Sequence, residues 1–392
     1  MGIKSRLANK SAVIRNRAKK IGSFLRGVYE YNVLSHFRTL APKEMIINLT
    51  YWCNSRCVMC NIWKMKPKNE LSFEEWKKMM ADPIFGSIEA VTISGGEATM
   101  HPQFLELAEL FLDSMPKLYS LGLITNGFMT DFIVPRVEKL AQMCQKRKIH
   151  LSLSVSIDGI GKKHEDIRRI PNAFKRSTAT LFGFKKLQQK YPDISIGSGS
   201  LILRQNLAEV NKVEKWFRDH KLPLNFQIVG FHDAFVNNME TEKDLNFVSR
   251  QKRELFRVLE KLSRPKSWGD LRSYYWKDLL HMYRDKKPRS TPCPFLKDQF
   301  VVDSFGDVYY CLSERPIGNC RNGKSVSDIY YDPQNLAFRR RMPATSCRDC
   351  NSGCNVGYAI AKDAKKFLWF KLTGRPWYGL KDYVRNSWIH RK

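Results

Sequence analysis

The sequence predicts an α/β protein: six successive βα steps forming a parallel sheet, open or closed into a barrel, followed by a small cysteine-rich unit. Three observations carry this. From residue 44 onward, short apolar runs alternate with amphipathic helical stretches. Each notable motif falls just after a strand, where parallel α/β sheets keep their chemistry. Six of the ten cysteines crowd into residues 293–354, among turn residues with little helical periodicity.

The elements follow in order. "EMIINLTY" (44–51) reads as strand one, and "SFEEWKKMMAD" (72–82) as its helix, with Ser72 and Glu75 at capping-box spacing. "EAVTISGG" (89–96) is strand two, followed by the helix "PQFLELAELFLDSM". "LYSLGLITNG" (118–127) is strand three, and "FIVPRVEKLAQMCQKR" is mostly helix, with Pro135 expected in its first turn. "IHLSLSVSIDG" (149–159), "ISIGSGSLIL" (194–203) and "LPLNFQIVGF" (222–231) are strands four to six, with "NAFKRSTATLFGFKKLQQKY" and "LAEVNKVEKWFRDH" as the helices between them. In strand four, period two puts Ser152, Ser154, Ser156 and Asp158 on one face and Leu151, Leu153, Val155 and Ile157 on the other. The expected divisions are a basic, helical N-terminal extension (1–43), the βα body (44–240), a polar helical bridge (241–289), the cysteine-rich unit (290–358) and a basic aromatic tail (359–392).

Composition narrows the setting. No stretch of the 392 residues has the roughly 18 apolar residues of a membrane span, and the basic start lacks the apolar core of a signal peptide. Arg6 stands where an N-myristoylation motif wants Ser or Thr. A cytoplasmic protein is expected, and in that compartment ten cysteines point to metal or redox chemistry before disulfides. The formal charge is +29, and about half of it comes from the two ends: residues 1–45 hold ten Lys/Arg against two Glu, and residues 362–392 nine against two Asp. Both ends interleave this charge with aromatics, a pattern that suits an anionic membrane, nucleic acid or a plain solvated surface.

Cys53, Cys57 and Cys60 form C-x3-C-x2-C directly after strand one. Thiolates at this spacing select zinc or an iron–sulfur cluster. No His or Cys lies between 61 and 100 to complete a zinc site, whereas a 4Fe–4S cluster with three thiolates keeps one iron open for a small chelating ligand. Downstream, "SGGEAT" carries Gly95, Gly96 and Glu97, "TNG" carries Asn126, and "HEDIRRIPNAF" carries Arg168. Asn126 before Gly127 also reads as turn chemistry, and Cys144 as a buried helix residue.

Together these motifs resemble the radical S-adenosylmethionine (radical SAM) superfamily. The resemblance implies a partial (β/α)6 TIM-like barrel and an open 4Fe–4S cluster on Cys53, Cys57 and Cys60, with S-adenosylmethionine on its open iron. It implies reductive cleavage of S-adenosylmethionine to a 5′-deoxyadenosyl radical that takes a substrate hydrogen, with electrons from an external donor such as flavodoxin or ferredoxin. Glu97 would accept the ammonium of S-adenosylmethionine, with Gly95 and Gly96 giving close backbone approach. Ser154, Ser156 and Asn126 would meet its ribose or carboxylate, and Arg168 a carboxylate bidentately. Ala98 stands where the family usually has proline.

The later cysteines resemble the family's SPASM or twitch extension: Cys293, then Gly306-x4-Cys311, then Cys347-x2-Cys350. Six thiols are too few for two fully ligated 4Fe–4S clusters, so one auxiliary cluster is implied, on Cys293, Cys311, Cys347 and Cys350, with Cys354 or Cys320 as substitutes. That makes two 4Fe–4S clusters in all, the second handling the electron left on substrate. The basic aromatic ends point to a carbohydrate or lipid-linked glycan of envelope polysaccharide synthesis, with peripheral contact to the inner face of the membrane. A ribosomal peptide, an RNA, or a non-catalytic iron–sulfur role are the alternatives, with nucleic acid ranked lower.

Overall fold

The computed structural model describes residues 25–378. Among them, nine strands form one sheet in the order β6-β5-β4-β3-β2-β1-β7-β8-β9. The first six are β1 (Glu44–Asn48), β2 (Ala90–Ser94), β3 (Ser120–Thr125), β4 (His150–Ser156), β5 (Ile194–Ile202) and β6 (Leu224–Ile228). They run parallel throughout, as six βα steps require. This is the partial TIM-like barrel of the expected fold.

The sheet's two faces differ sharply. Leu121, Leu123, Leu151, Leu153, Val155, Ile194 and Ile196 are buried, and helices Thr130–Lys146 and Ala173–Lys190 pack on β4. The opposite face carries a half-buried row set by register, with Thr92 beside Gly122, Ser152 and Ser195. Above it come Ser154 beside Gly197 and Ser156 beside Gly199. Small side chains on this inner face leave space and polar groups for a ligand, as the alternation in strand four implies.

Local signals explain most helix boundaries. Helix Phe73–Met80 starts at Ser72, and the capping box with Glu75 is fully formed. The helix over Thr130–Lys146 begins two residues before "FIVPR", so Pro135 sits in its second turn rather than its first. Its missing N–H then leaves one main-chain carbonyl without a helix partner. A short helix, Lys162–Arg168, ends in a left-handed cap at Arg169 (φ 54°).

The cysteine-rich segment does not stand apart. Its hairpin turns at Gly306 (φ 82°), as "DSFGD" predicts. But β7 (Gln299–Asp303) pairs in parallel with β1, and β8 (Asp307–Tyr309) and β9 (Gly318–Asn319) extend the same sheet. The chain accordingly divides into two compact units: residues 41–258 with 298–353, and residues 1–40 with 259–297 and 354–392. These compact units cut across the divisions expected at 240, 289 and 358, and strand pairing joins β7 to the barrel.

Helix Arg272–Asp285, expected as part of a polar bridge, buries Tyr274, Tyr275, Trp276, Leu279 and Leu280. Phe370 meets Tyr274 edge-on at 5.0 Å. The fully buried Asp278 carboxylate accepts the Thr291 hydroxyl at 2.6 Å and the Tyr378 hydroxyl at 2.9 Å. The expected N-terminal helix is present over 25–32 and a tail helix over Ala364–Thr373. The rest of both basic ends, 1–24 and 379–392, lies outside the described residues.

Candidate active site

Two sequence motifs become one structure at the C-terminal ends of β1 and β2. The Gly96 N–H donates to the Thr50 carbonyl at 2.6 Å, and the Glu97 N–H to the Trp52 carbonyl at 2.7 Å. A Cβ on Gly95 (φ +126°) would lie 2.4 Å from the Thr50 oxygen, and one on Gly96 2.1 Å from the Trp52 oxygen. The glycines let the "SGGE" loop dock on the chain that leads into Cys53. That backbone packing, rather than ligand approach alone, excludes side chains here.

The three thiols sit on this docked loop. Cys57 is buried, and Cys53 and Cys60 are half-buried. Cys57 and Cys60 pack with Met59, Ile167, Leu203, Val229 and Leu245 in an apolar cluster. Backbone N–H groups of Ser55 and Ile62 point at Cys53 and Cys60 respectively. Burial pushes both thiols up to about 12, and their mutual proximity adds to it; Arg168 opposes this. Three thiolates this close together, one buried and two half-buried, need positive charge close by, and a cationic cluster would supply it. The donor set therefore fits the iron–sulfur group that the spacing suggested.

Arg168 takes a role different from the expected one. Its Nη2 and Nε lie 2.6 and 2.7 Å from Oδ2 of Asp158, which is fully buried. Its Nη1 lies 3.6 Å from Cys57 Sγ. Burial would depress the guanidinium, but Asp158 and Cys57 hold it above its usual value. The carboxylate it grips is the protein's own. Main-chain carbonyls of the same helix also hold the cysteine loop, with Ile167 O accepting Val58 N–H at 2.9 Å and Arg168 O accepting Arg56 N–H at 3.3 Å. His164, fully buried in that helix, accepts the Asp158 N–H on Nδ1 at 3.0 Å and is held neutral by burial and by Arg168.

Glu97 is fully buried as well. It accepts the Thr99 hydroxyl at 2.6 Å, the Thr125 hydroxyl at 2.9 Å and the Asn126 N–H at 2.8 Å. Burial raises its pKa against these bonds. The side chain thus ties β2 to β3 behind the loop, and an ammonium ligand would have to compete with those donors. Asn126 caps its own turn by accepting the Phe128 N–H at 3.0 Å, and its amide donates to Asn54 Oδ1 at 2.7 Å, beside Cys53. Turn chemistry and site position coincide in this residue. Ser154 and Ser156 remain half-buried on the inner face, as expected.

The expected auxiliary ligands divide between the two compact units. Cys311, Cys347 and Cys350, with Cys320, belong to the barrel unit, and Cys293 and Cys354 to the other. Cys311 and Cys350 share a motif: the N–H two residues on, Ser313 or Ser352, donates to each Sγ at 3.4 Å. The same i+2 donation reaches Cys53 and Cys60, and it stabilises a thiolate. Cys320 differs. Burial pushes its thiol up to about 11, with Asp82, Asp307 and Asp303 adding to it.

One buried cluster has no counterpart in the sequence reading. The Tyr51 and Tyr309 hydroxyls both donate to Asp303 Oδ2, at 2.8 and 3.0 Å. Tyr51 precedes Cys53 by two residues and Tyr309 precedes Cys311 by two, so one carboxylate braces both cysteine segments. Only the β1–β7 pairing, between residues some 250 apart, brings them together.

A parallel partial barrel, with three thiols at its strand ends and a docked Gly-Gly-Glu loop, defines a radical SAM protein. Residues 47–217 match the radical SAM superfamily, whose members are enzymes of radical transformations, and residues 293–351 match an iron–sulfur cluster-binding SPASM domain. The chain thus carries a radical SAM domain and a SPASM domain, and these domains imply 4Fe–4S clusters and S-adenosylmethionine as cofactors. Fe-coproporphyrin III synthase of Methanosarcina barkeri is 30% identical over 46% of this chain. Sporulation killing factor maturation protein SkfB of Bacillus subtilis is 28% identical over 44%. The chain spans only 42% and 38% of those two relatives. PqqA peptide cyclase of Rhizobium meliloti is 25% identical over 83% of this chain and 86% of its own. In structure, Streptococcus suis SuiB bound to S-adenosylmethionine superposes with a TM-score of 0.54 at 13% identity, covering 91% of this chain and 80% of SuiB. An anSMEcpe complex with AdoMet and the Cp18Cys peptide gives 0.53 at 19% identity, covering 84% and 87%.

Proposed function

We propose that this protein is a radical SAM enzyme that modifies a peptide. The carrying observation is the site at β1 and β2: three clustered cysteines, a docked Gly-Gly-Glu loop, and a half-buried inner face lined by Ser and Gly. When bound, the open cluster and S-adenosylmethionine supply one-electron cleavage of the sulfonium and a 5′-deoxyadenosyl radical that abstracts a substrate hydrogen. The chain's own residues do the positioning. Cys53, Cys57 and Cys60 would hold the cluster, the Arg168–Asp158 pair fixes the loop beneath Cys57, and Ser154 and Ser156 face the ligand space. Cys311, Cys347 and Cys350 would hold an auxiliary cluster. An external donor such as flavodoxin or ferredoxin supplies the electron, in the cytoplasm, with the basic ends at an anionic membrane.

The peptide reading rests on relatives. PqqA peptide cyclase shares similarity across both domains, and SkfB is named as a maturation protein. None of the relatives named above acts, by its name, on a glycan, so the glycan expected from the basic ends becomes the second outcome to test. The test is anaerobic turnover with dithionite and S-adenosylmethionine, offering deuterated peptides encoded beside the gene and, separately, lipid-linked glycans. Deuterium in 5′-deoxyadenosine from the peptide supports the proposal. Label from the glycan alone reverses the substrate, and no S-adenosylmethionine cleavage at all removes the activity.

A further inference from the structure

The unit formed by the chain ends exposes apolar surface out of proportion to its size. Among the described residues, thirteen large apolar side chains are exposed. Seven of them, Leu25, Tyr29, Val33, Phe37, Trp268, Leu368 and Leu372, lie in this unit, which holds less than a quarter of those residues. Phe37, Trp268 and Leu372 are 83%, 77% and 84% exposed. Scattered exposed apolar residues are ordinary, but concentration marks an interaction surface.

The exposed residues form two ridges. Leu25, Tyr29, Val33 and Phe37 recur every four residues, one row along the N-terminal helix and its following turn, while Tyr31 and Leu40 on the same segment pack inward with Ala359. On the tail helix, Phe370 packs inward, while Lys365, Leu368 and Leu372 face out. Trp268 extends this second ridge: its ring meets Phe367 edge-on at 6.0 Å, and Lys371 lies over it at 5.2 Å while donating to its carbonyl. An open cavity of about 740 Å³ beside the ridge is lined by Arg264, Lys277 and Lys371 against one acid, Glu260, with Trp268 and Phe370.

Each ridge carries cations and leads into a basic chain end. Arg26 and Arg38 are exposed along the first. Residues 1–24 hold seven Lys/Arg and no acid, and residues 379–392 hold four against one Asp. Basic ends do not complement a basic ridge, so charge argues against the chain covering itself. Apolar residues rimmed by cations match an anionic lipid interface, where the rings and aliphatic chains enter the headgroup layer. No described helix is long and apolar enough to cross a membrane.

We infer that this unit is a membrane-docking module for anionic phospholipid, seated by the Leu25–Phe37 and Trp268–Leu368–Leu372 ridges. This rests on the proposed membrane contact of the basic ends and adds to it an apolar insertion with named residues. It is independent of the radical chemistry.

The test is flotation of the full-length holoprotein with phosphatidylcholine vesicles, with and without phosphatidylglycerol. At about 0.15 M salt it should float only with the anionic vesicles, and Trp fluorescence should shift to the blue. The variant Phe37→Ser/Leu368→Ser/Leu372→Ser, checked for unchanged iron content and circular dichroism, should partition more than about tenfold more weakly. Trp268→Ser, tested separately, should remove most of the fluorescence shift. Salt-reversible binding that the ridge variants leave unchanged overturns the apolar insertion while sparing the charge contact. No binding to either vesicle overturns both. Ridge-dependent dimers in light scattering, without vesicle binding, assign the surface to a second copy instead.

Discussion

Replacing Asp158 with Asn tests how the cysteine loop is held. Asp158 is fully buried and Arg168 nearly so, and the carboxylate receives two guanidinium N–H groups at 2.6 and 2.7 Å and the Leu201 N–H at 2.8 Å. Asp158→Asn leaves a buried guanidinium without its counter-charge, and Arg168→Met leaves the carboxylate so. Breaking a buried pair from one side costs about 3–5 kcal/mol. The double variant removes both charges and should cost less than the sum of the singles. The assay is anaerobic urea unfolding of the four proteins, followed by circular dichroism. A second readout separates positioning from bulk stability. Because Arg168 reaches Cys57 Sγ and its helix holds residues 56 and 58, the reduced open cluster should give an altered EPR spectrum in both single variants. Singles that cost under about 0.5 kcal/mol, with additive effects and an unchanged spectrum, would refute the latch.

Three further outcomes follow from the same geometry. Burial raises the Asp303 carboxyl from 3.8 to about 6, so its contribution to stability is full below pH 4 and is lost as pH rises through about 6. The change is at most about 3 kcal/mol, and the difference between wild-type and Asp303→Asn stability-versus-pH curves should show that slope. Cys320→Ser should keep the full iron content, whereas Cys311→Ser and Cys350→Ser should each lose up to about four irons, as counted by a colorimetric iron assay. Gly96→Ala drives a Cβ to 2.1 Å from the Trp52 carbonyl and should destabilise the barrel by at least about 3 kcal/mol in thermal unfolding, with Gly86→Ala, which meets nothing within 4 Å, as the near-neutral control.

Much of the site was legible because its signals are local. The three cysteines lie within eight residues, the strand periods are short, and the Ser72 capping box spans four. What escaped the sequence is long-range. Arg168 reads as a ligand for an external carboxylate because nothing in "HEDIRR" shows that Asp158 turns back to meet it. Glu97 reads as an acceptor for the ammonium of S-adenosylmethionine, yet Thr125 at the end of β3 and the N–H of Asn126 after it already donate to its carboxylate.

By itself, the sequence determined the six βα steps, the inner-face serines, the three-thiol motif and the excess of basic residues at the ends. Each depends on spacing or composition, which a linear chain carries intact. Only tertiary structure decided that the cysteine-rich segment joins the barrel sheet through β7 and that Asp303 braces Tyr51 and Tyr309. It also decided that Cys320 sits among carboxylates, and that helix Arg272–Asp285 is a buried core. Those facts arise when distant segments pair, and pairing energy depends on which groups share a desolvated space, a quantity no local window of sequence contains.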